Sequence, residues 1–150
     1  NGKQHADTTL VMNHDVPHCA SREGFRAVVD DRGHSVFQGR INVRQPAQQT
    51  DAKMMTRALL LSDEAEVDNK PELEIFADDV VCGHGTAIGA LDEDSLFYLR
   101  ARGIPEGEAR NLLVRAFLED VLDGFTDQTA YDVLWRTLDV ALVQLEGGRP

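Results

Sequence analysis

Leu99-Arg100-Ala101-Arg102-Gly103-Ile104-Pro105-Glu106-Gly107-Glu108-Ala109 is the stretch where the periodicity of the chain changes. Upstream of it apolar residues come in short or alternating runs; downstream they recur every three or four positions. Pro105 suits a first helical turn, and Glu106 and Glu108 suit the positive end of a helix dipole. Ala109, Leu112, Leu113, Ala116, Phe117 and Val121 then share one face, and Gly124 supplies a stop. A second helix is expected after Thr126 or Asp127 as N-cap, with Tyr131, Leu134, Trp135, Leu138, Leu142 and Leu145 on its apolar face and Gly147-Gly148 at its end. Two such helices are expected to pack together and cover the end of what precedes them. Val114, Leu118 and Val133 widen the apolar surface enough to serve a partner as well.

Working back toward the start, the strand signals are Thr8 to Met12, Phe25 to Val29, Val36 to Val43, Arg57 to Leu61, Leu73 to Phe76 and Val80 to Cys82. Turn chemistry separates them: Asn13-His14-Asp15, Asp30-Asp31-Arg32-Gly33, Ser62-Asp63-Glu64 and Asp68-Asn69-Lys70-Pro71. No amphipathic helix is expected between residue 5 and about residue 100. An antiparallel sandwich and a stacked parallel β-helix both predict this pattern, and periodicity does not choose between them. The amides from Gln38 to Gln49 fit side-chain ladders or polar loop positions equally well.

With 26 acidic against 15 basic residues and a net charge of −11, the chain repels phosphate backbones and anionic headgroups, so neither nucleic acid nor membrane is expected as a partner. No apolar run approaches a bilayer span, and no signal-peptide succession opens the chain, so a cytoplasmic protein is the default. Cys19 and Cys82 are too few for a disulfide framework. The opening Asn1-Gly2-Lys3-Gln4 lacks an initiator Met and is expected to continue a longer chain.

Phosphate loops, nucleophile elbows, H-E-x-x-H and G-x-G-x-x-G turns are all missing from the sequence, which argues against the common motif-bearing enzymes. The densest cluster of unusual residues is Val80-Val81-Cys82-Gly83-His84-Gly85-Thr86-Ala87-Ile88-Gly89. On an extended backbone Cys82 and His84 share a face, and thiolate and imidazole both ligate iron, zinc or copper(I). The pair is incomplete as a metal site, and a structural Cys with a surface or packed His explains it too. As nucleophile and base the two would define an enzyme of unclassified type, although same-face neighbours on a strand stand too far apart at the backbone for a tight dyad. His14, His18 and Cys19 could form a stand-alone metal-binding module, or simply a polar turn. Asp78-Asp79 and Asp92-Glu93-Asp94 read as acidic turns, with a divalent-cation site as the other reading.

Leu73 to Gly89, followed by Leu91-Asp92-Glu93-Asp94-Ser95-Leu96-Phe97-Tyr98-Leu99-Arg100-Ala101-Arg102-Gly103-Ile104, resembles the signature of the SufB and SufD family of iron–sulfur cluster assembly proteins. His5-Ala6-Asp7-Thr8, Val36 to Ile41 and Leu59 to Ala65 agree with it, so the resemblance extends over nearly the whole chain. SufB-like members carry Glu-His-Glu where this chain has Gly83-His84-Gly85; the Cys-x-His-Gly form here is SufD-like. The resemblance implies the C-terminal portion of such a protein: a mainly β fold in which the C-terminal turns of a right-handed parallel β-helix, residues 1–103, precede a small helical domain, residues 104–150. It also implies a scaffold that is not an enzyme, pairing with SufB through the β-helix end and docking the SufC ATPase on the C-terminal helices, where Leu113, Phe117, Val121 and Trp135 are the candidates. His84 would lie at the SufB interface beside the nascent cluster and is the candidate metal ligand, with Cys82 as its neighbour. The implied cofactor is a transient iron–sulfur cluster shared with SufB, none being held tightly by this part alone, which is also expected to be able to self-associate through an uncapped end.

Overall fold

The computed structural model describes residues 2–122 and 126–146, the side chains at 141 and 143–146 excepted. Gly124 and Gly147-Gly148, expected as helix stops, and the side chain of Leu145 lie outside the described residues. The chain divides into two compact units, Gly2–Gly89 and Ala90–Pro150.

The first unit is built from β1 (His5–His14), β2 (Ala20–Val29), β3 (His34–Val43), β4 (Asp51–Leu60), β5 (Glu66–Ile75) and β6 (Val81–Ala90). Strands alternate between two parallel three-stranded sheets, ordered β1-β3-β5 and β2-β4-β6. Parallel neighbours need a long crossover, and here each crossover is the intervening strand of the other sheet. All six expected strands are present, each longer than its apolar run, because polar outward positions continue the pairing beyond it.

The registers are set by residues such as His5↔His34↔Glu66 and Ala20↔Asp51. Alternation then sends Phe37, Gly39, Ile41 and Val43 of β3 and Ala52, Met54, Thr56 and Ala58 of β4 inward, where all eight are buried. Both sheets feed one core, in which Phe37, Ile41, Val43, Ala52 and Met54 touch Leu10, Met12, Phe25, Leu73, Val80 and Cys82. Ile41 and Val43 are fully buried, each worth roughly 1.5–3 kcal/mol of hydrophobic stabilisation. The Phe25 and Phe37 rings pack with centroids 4.1 Å apart.

The connections also stack on one another. His18 N–H donates to Gln48 O, Gln49 N–H to Asp79 O, and Ser62 Oγ to Asp31 O. Asp31, at φ 54°, takes the left-handed turn conformation that Asp tolerates, as expected for its Asp-Asp-Arg-Gly turn. Of the amide ladder considered above, one rung is present: Asn42 Nδ2 donates to Asn13 Oδ1 at 2.8 Å.

Asp68-Asn69-Lys70-Pro71, expected as a turn, instead lies inside β5. Glu66 N–H donates to Gly33 O and Phe76 N–H to Val43 O, so even-numbered residues of β5 face β3 and the Pro71 nitrogen faces the free edge. A proline costs no ladder bond there.

The second unit contains α1 (Glu93–Ala101), α2 (Glu106–Glu119) and α3 (Gln128–Glu146). α1 corrects the expectation that no helix precedes Ile104, and the acidic run read as a turn or cation site is its start. Asp92 Oδ1 accepts from Ser95 N–H at 2.6 Å as N-cap, and Glu93 and Asp94 lie in the first turn. Those contacts hold the Asp92 carboxyl below its ordinary range, the Ser95 side chain and backbone being the causes. Gly103, at φ 85°, ends the segment.

Pro105 caps α2, whose buried residues are Ala109 and Val114. Its buried stripe is rotated from the expected one, leaving Leu112 and Ala116 exposed. Asp127, one of the two expected N-caps of α3, accepts from Thr129 and Ala130 N–H. Tyr131, Trp135 and Leu138 are half-buried and Leu142 is buried, as the pattern predicts, whereas Leu134 is exposed. Arg115 of α2 lies 4.5 Å over the Trp135 ring and 3.2 Å from Asp139, joining the two helices. No helix among the described residues is long and apolar enough to cross a membrane.

Candidate functional site

β6 is one of the two edge strands of its sheet and carries the Cys-x-His-Gly sequence. Val81 N–H donates to Thr50 O at 2.9 Å, which pairs Asp51 with Val81 and therefore Ala52 with Cys82, Met54 with His84 and Thr56 with Thr86. The Thr56 and Thr86 hydroxyls are hydrogen-bonded to each other, in agreement with that register. In a parallel strand alternate residues address opposite neighbours. Backbone groups of Val81, Gly83 and Gly85 thus face β4, while those of Cys82, His84 and Thr86 face the free edge.

Cys82 and His84 share the inward face of β6, as the alternation predicts, but their surroundings differ. Cys82 is half-buried and packs against the core; His84, two residues on, is exposed. The glycines flanking His84 also differ. A Cβ on Gly83 would meet nothing within 4 Å, whereas one on Gly85 would stand 2.7 Å from Met55 Cε, because the Met55 side chain lies over the strand there. Glycine at 85 is what allows that close approach.

The other candidate cluster is not brought together. His14 is buried, with Nε2 3.0 Å from Ser21 Oγ; His18 occupies a left-handed turn; and Cys19 Sγ donates to Val16 O at 3.1 Å. Among the described residues no group of three His, Cys, Asp or Glu side chains is arranged to hold a metal ion. On the outer face of the other sheet, His34 Nε2 lies 2.8 Å from Asp68 Oδ2 and its ring meets that of His5 edge-on. Sequence reading did not single out this histidine contact, which requires the β1–β3 register.

The same face carries an ion-pair network that only the β3–β5 register reveals. Arg40 lies 2.9 Å from Glu72 and 3.6 Å from Glu74, and Lys70 lies 3.1 Å from Glu72. Hydrogen bonds from Arg40 first and Lys70 second hold the Glu72 carboxyl below its ordinary range. Of the helical candidates, Leu113, Phe117, Val121 and Trp135 are all half-buried, while Leu112, Val133, Leu134 and Val140 present the exposed apolar surface.

Residues 1–117 match the family model for the SUF system FeS cluster assembly SufBD core domain. The chain is 42% identical over 122 residues to the iron–sulfur cluster assembly protein SufD of Escherichia coli, covering 81% of this chain and 29% of that protein. It is 44% identical over 124 residues to an iron–sulfur cluster assembly SufBD family protein of Synechocystis, covering 81% and 27%. Over 124 residues it is 43% identical to the chloroplastic protein ABCI7 of Arabidopsis thaliana, covering 82% and 26%. The chain thus spans well under a third of the length of each of these relatives. The match over most of its residues and the likeness to a named SufD show that this chain belongs to the SufBD family of iron–sulfur cluster assembly proteins, on its SufD side.

Proposed function

We propose that the chain serves as a non-catalytic scaffold in a cytoplasmic iron–sulfur cluster assembly complex with SufB and the SufC ATPase. In this reading Gly2–Gly89 forms turns of a right-handed parallel β-helix; the alternation of strands between two parallel sheets around one core supports it. The observation that carries the function is the placement of His84: an exposed imidazole between two glycines, on an edge strand whose backbone groups at Cys82, His84 and Thr86 face no further strand among the described residues.

A partner strand laid along β6 would satisfy those groups and bring its own side chains to the His84 ring. Neutral imidazole ligates iron, and a thiolate from SufB would complete what this chain lacks. The nascent cluster is cargo shared across the interface, and Cys82, held against the core, steadies the strand. β6 suits this use because it has no proline and no charged side chain, the usual guards of an edge, whereas β5, last in the other sheet, carries Pro71, Lys70 and Glu72. SufC would dock on the helical unit, with the exposed Leu112, Val133 and Val140 beside the half-buried Leu113, Phe117, Val121 and Trp135.

The test is cluster assembly in cells by the complete complex with His84→Ala, alongside a pull-down that confirms SufB and SufC remain bound. Loss of assembly with the complex intact is expected. Unchanged assembly would reduce His84 to an ordinary interface residue.

A further inference from the structure

At the C-terminal end of the sheet β1-β3-β5, the registers and two backbone bonds, Arg44 N–H to His14 O and Phe76 N–H to Val43 O, set two outward columns side by side. One is Asn13–Asn42–Glu74 and the other continues it as Asp15–Arg44–Phe76. Between them lies a surface pocket of about 480 Å³ lined by Asn42, Arg44, Gln45, Glu74 and Phe76.

Its chemistry is uneven. Phe76, directly after β5, is 65% exposed, an unusual position for a phenylalanine with no partner to cover it. Asn42 spends its amide on Asn13, and its Oδ1 is screened from solvent, so this side chain forms a wall of the pocket and not a polar partner in it. Glu74 stands 3.6 Å from Arg40, whose closer contacts are with Glu72, and its carboxylate is half exposed. The one cation of the lining, Arg44, is drawn away to Asp15 at 2.8 Å instead of lying over Phe76. What remains is an aromatic face beside a half-exposed carboxylate, within a chain of net charge −11.

We propose that this pocket receives an arginine side chain from a partner protein, its guanidinium donating to the Glu74 carboxylate and its plane resting on the Phe76 ring. Charge complementarity selects a cation. Among cations, the planar guanidinium alone offers several fixed donors together with a face that stacks on an aromatic ring. An anionic ligand would meet Glu74 and gain only an Arg44 already neutralised by Asp15. The site makes no use of His84 and stands apart from the scaffold reading.

The experiment uses the full-length protein with 4-fluorophenylalanine at position 76, followed by fluorine NMR during titration with acetyl-Ala-Arg-Ala-amide and with matched lysine and citrulline peptides. A saturable shift with the arginine peptide is expected, weakened about fivefold by Glu74→Gln, the worth of roughly one exposed ion pair, and weaker with lysine or citrulline. No saturable shift, a shift indifferent to Glu74→Gln, or equal binding of citrulline would each overturn the proposal. Glu74 and Phe76 are both on the surface, so neither replacement threatens the fold.

Discussion

Gly39 lies against Met54 so closely that a Cβ on it would stand 2.6 Å from the Met54 Sδ and 2.7 Å from the Phe37 Cε1. Both neighbours are buried, Met54 at 2% and Phe37 at 4% exposure, and neither can swing away into solvent. Gly39→Ala is therefore expected to cost about 1–3 kcal/mol by overpacking. Gly83→Ala, where nothing stands within 4 Å, serves as its comparison. Urea unfolding of the two variants checks this; equal midpoints would show that the core relaxes around the extra methyl.

Pro71 and Lys70 should answer substitution with unequal losses. Pro71→Ala restores an N–H that points to the free edge of β5 and gains no ladder bond, so the effect is the looser unfolded chain, about 0.4–1 kcal/mol of lost stability. Lys70→Pro removes an N–H directed at β3 and leaves an acceptor there unpaired, at a further cost of about 1–3 kcal/mol. Thermal unfolding that ranks the two alike would contradict the assigned register.

The cap of α1 gives a pH dependence with a definite sign. The Asp92 carboxyl titrates below its ordinary value of 3.8 in the folded chain, so the unfolded state binds its proton more readily. The stabilisation is complete above the unfolded value and disappears as pH falls through the folded one. Asp92→Ala should thus lower stability at neutral pH, and the gap from the parent should close on acidification below pH 3.8. A gap that stays constant down that range would mean that the charge at position 92 contributes nothing.

Cys82 and His84 share a face of β6, but the thiol is committed to the core. Alkylation of Cys82 by iodoacetamide is expected to be slow in the folded protein and unchanged by His84→Ala. A rate that drops with the imidazole removed would instead mark the two as a working pair.

Much of this organisation was legible in the sequence, for identifiable reasons. Strand positions followed from β-branched and aromatic runs, and α3 from its stripe of Tyr131, Trp135, Leu138 and Leu142. The α1 helix is hard to see in the sequence because Asp92-Glu93-Asp94 satisfies both a turn and a helix start; Ser95 three positions after Asp92, with Leu96 and Leu99 behind it, is the signal available. From sequence Pro71 suggests a turn, because a proline is a strand breaker unless the strand is an edge, and edge status is a property of the whole sheet. The Arg40–Glu72 pairing, the His5–His34 contact and the columns flanking Phe76 join residues separated by an intervening strand. No local pattern encodes a register of that range. Alternation puts Cys82 and His84 on one face, yet their unequal burial, with Cys82 packed on the core and His84 exposed, arises on an edge strand and has no signature in the local sequence.

The unlike edges of the two sheets bear on how much of this protein a cell can safely hold. Where β5 repels additional strands and β6 accepts them, the β5–β6 side of the two sheets has one adhesive margin, and an excess of such chains competes for whatever covers it. If the proposed partner covers that margin, synthesis in step with it is a condition of solubility, and overproduction of this chain alone should show itself first as aggregates that co-expression of that partner disperses.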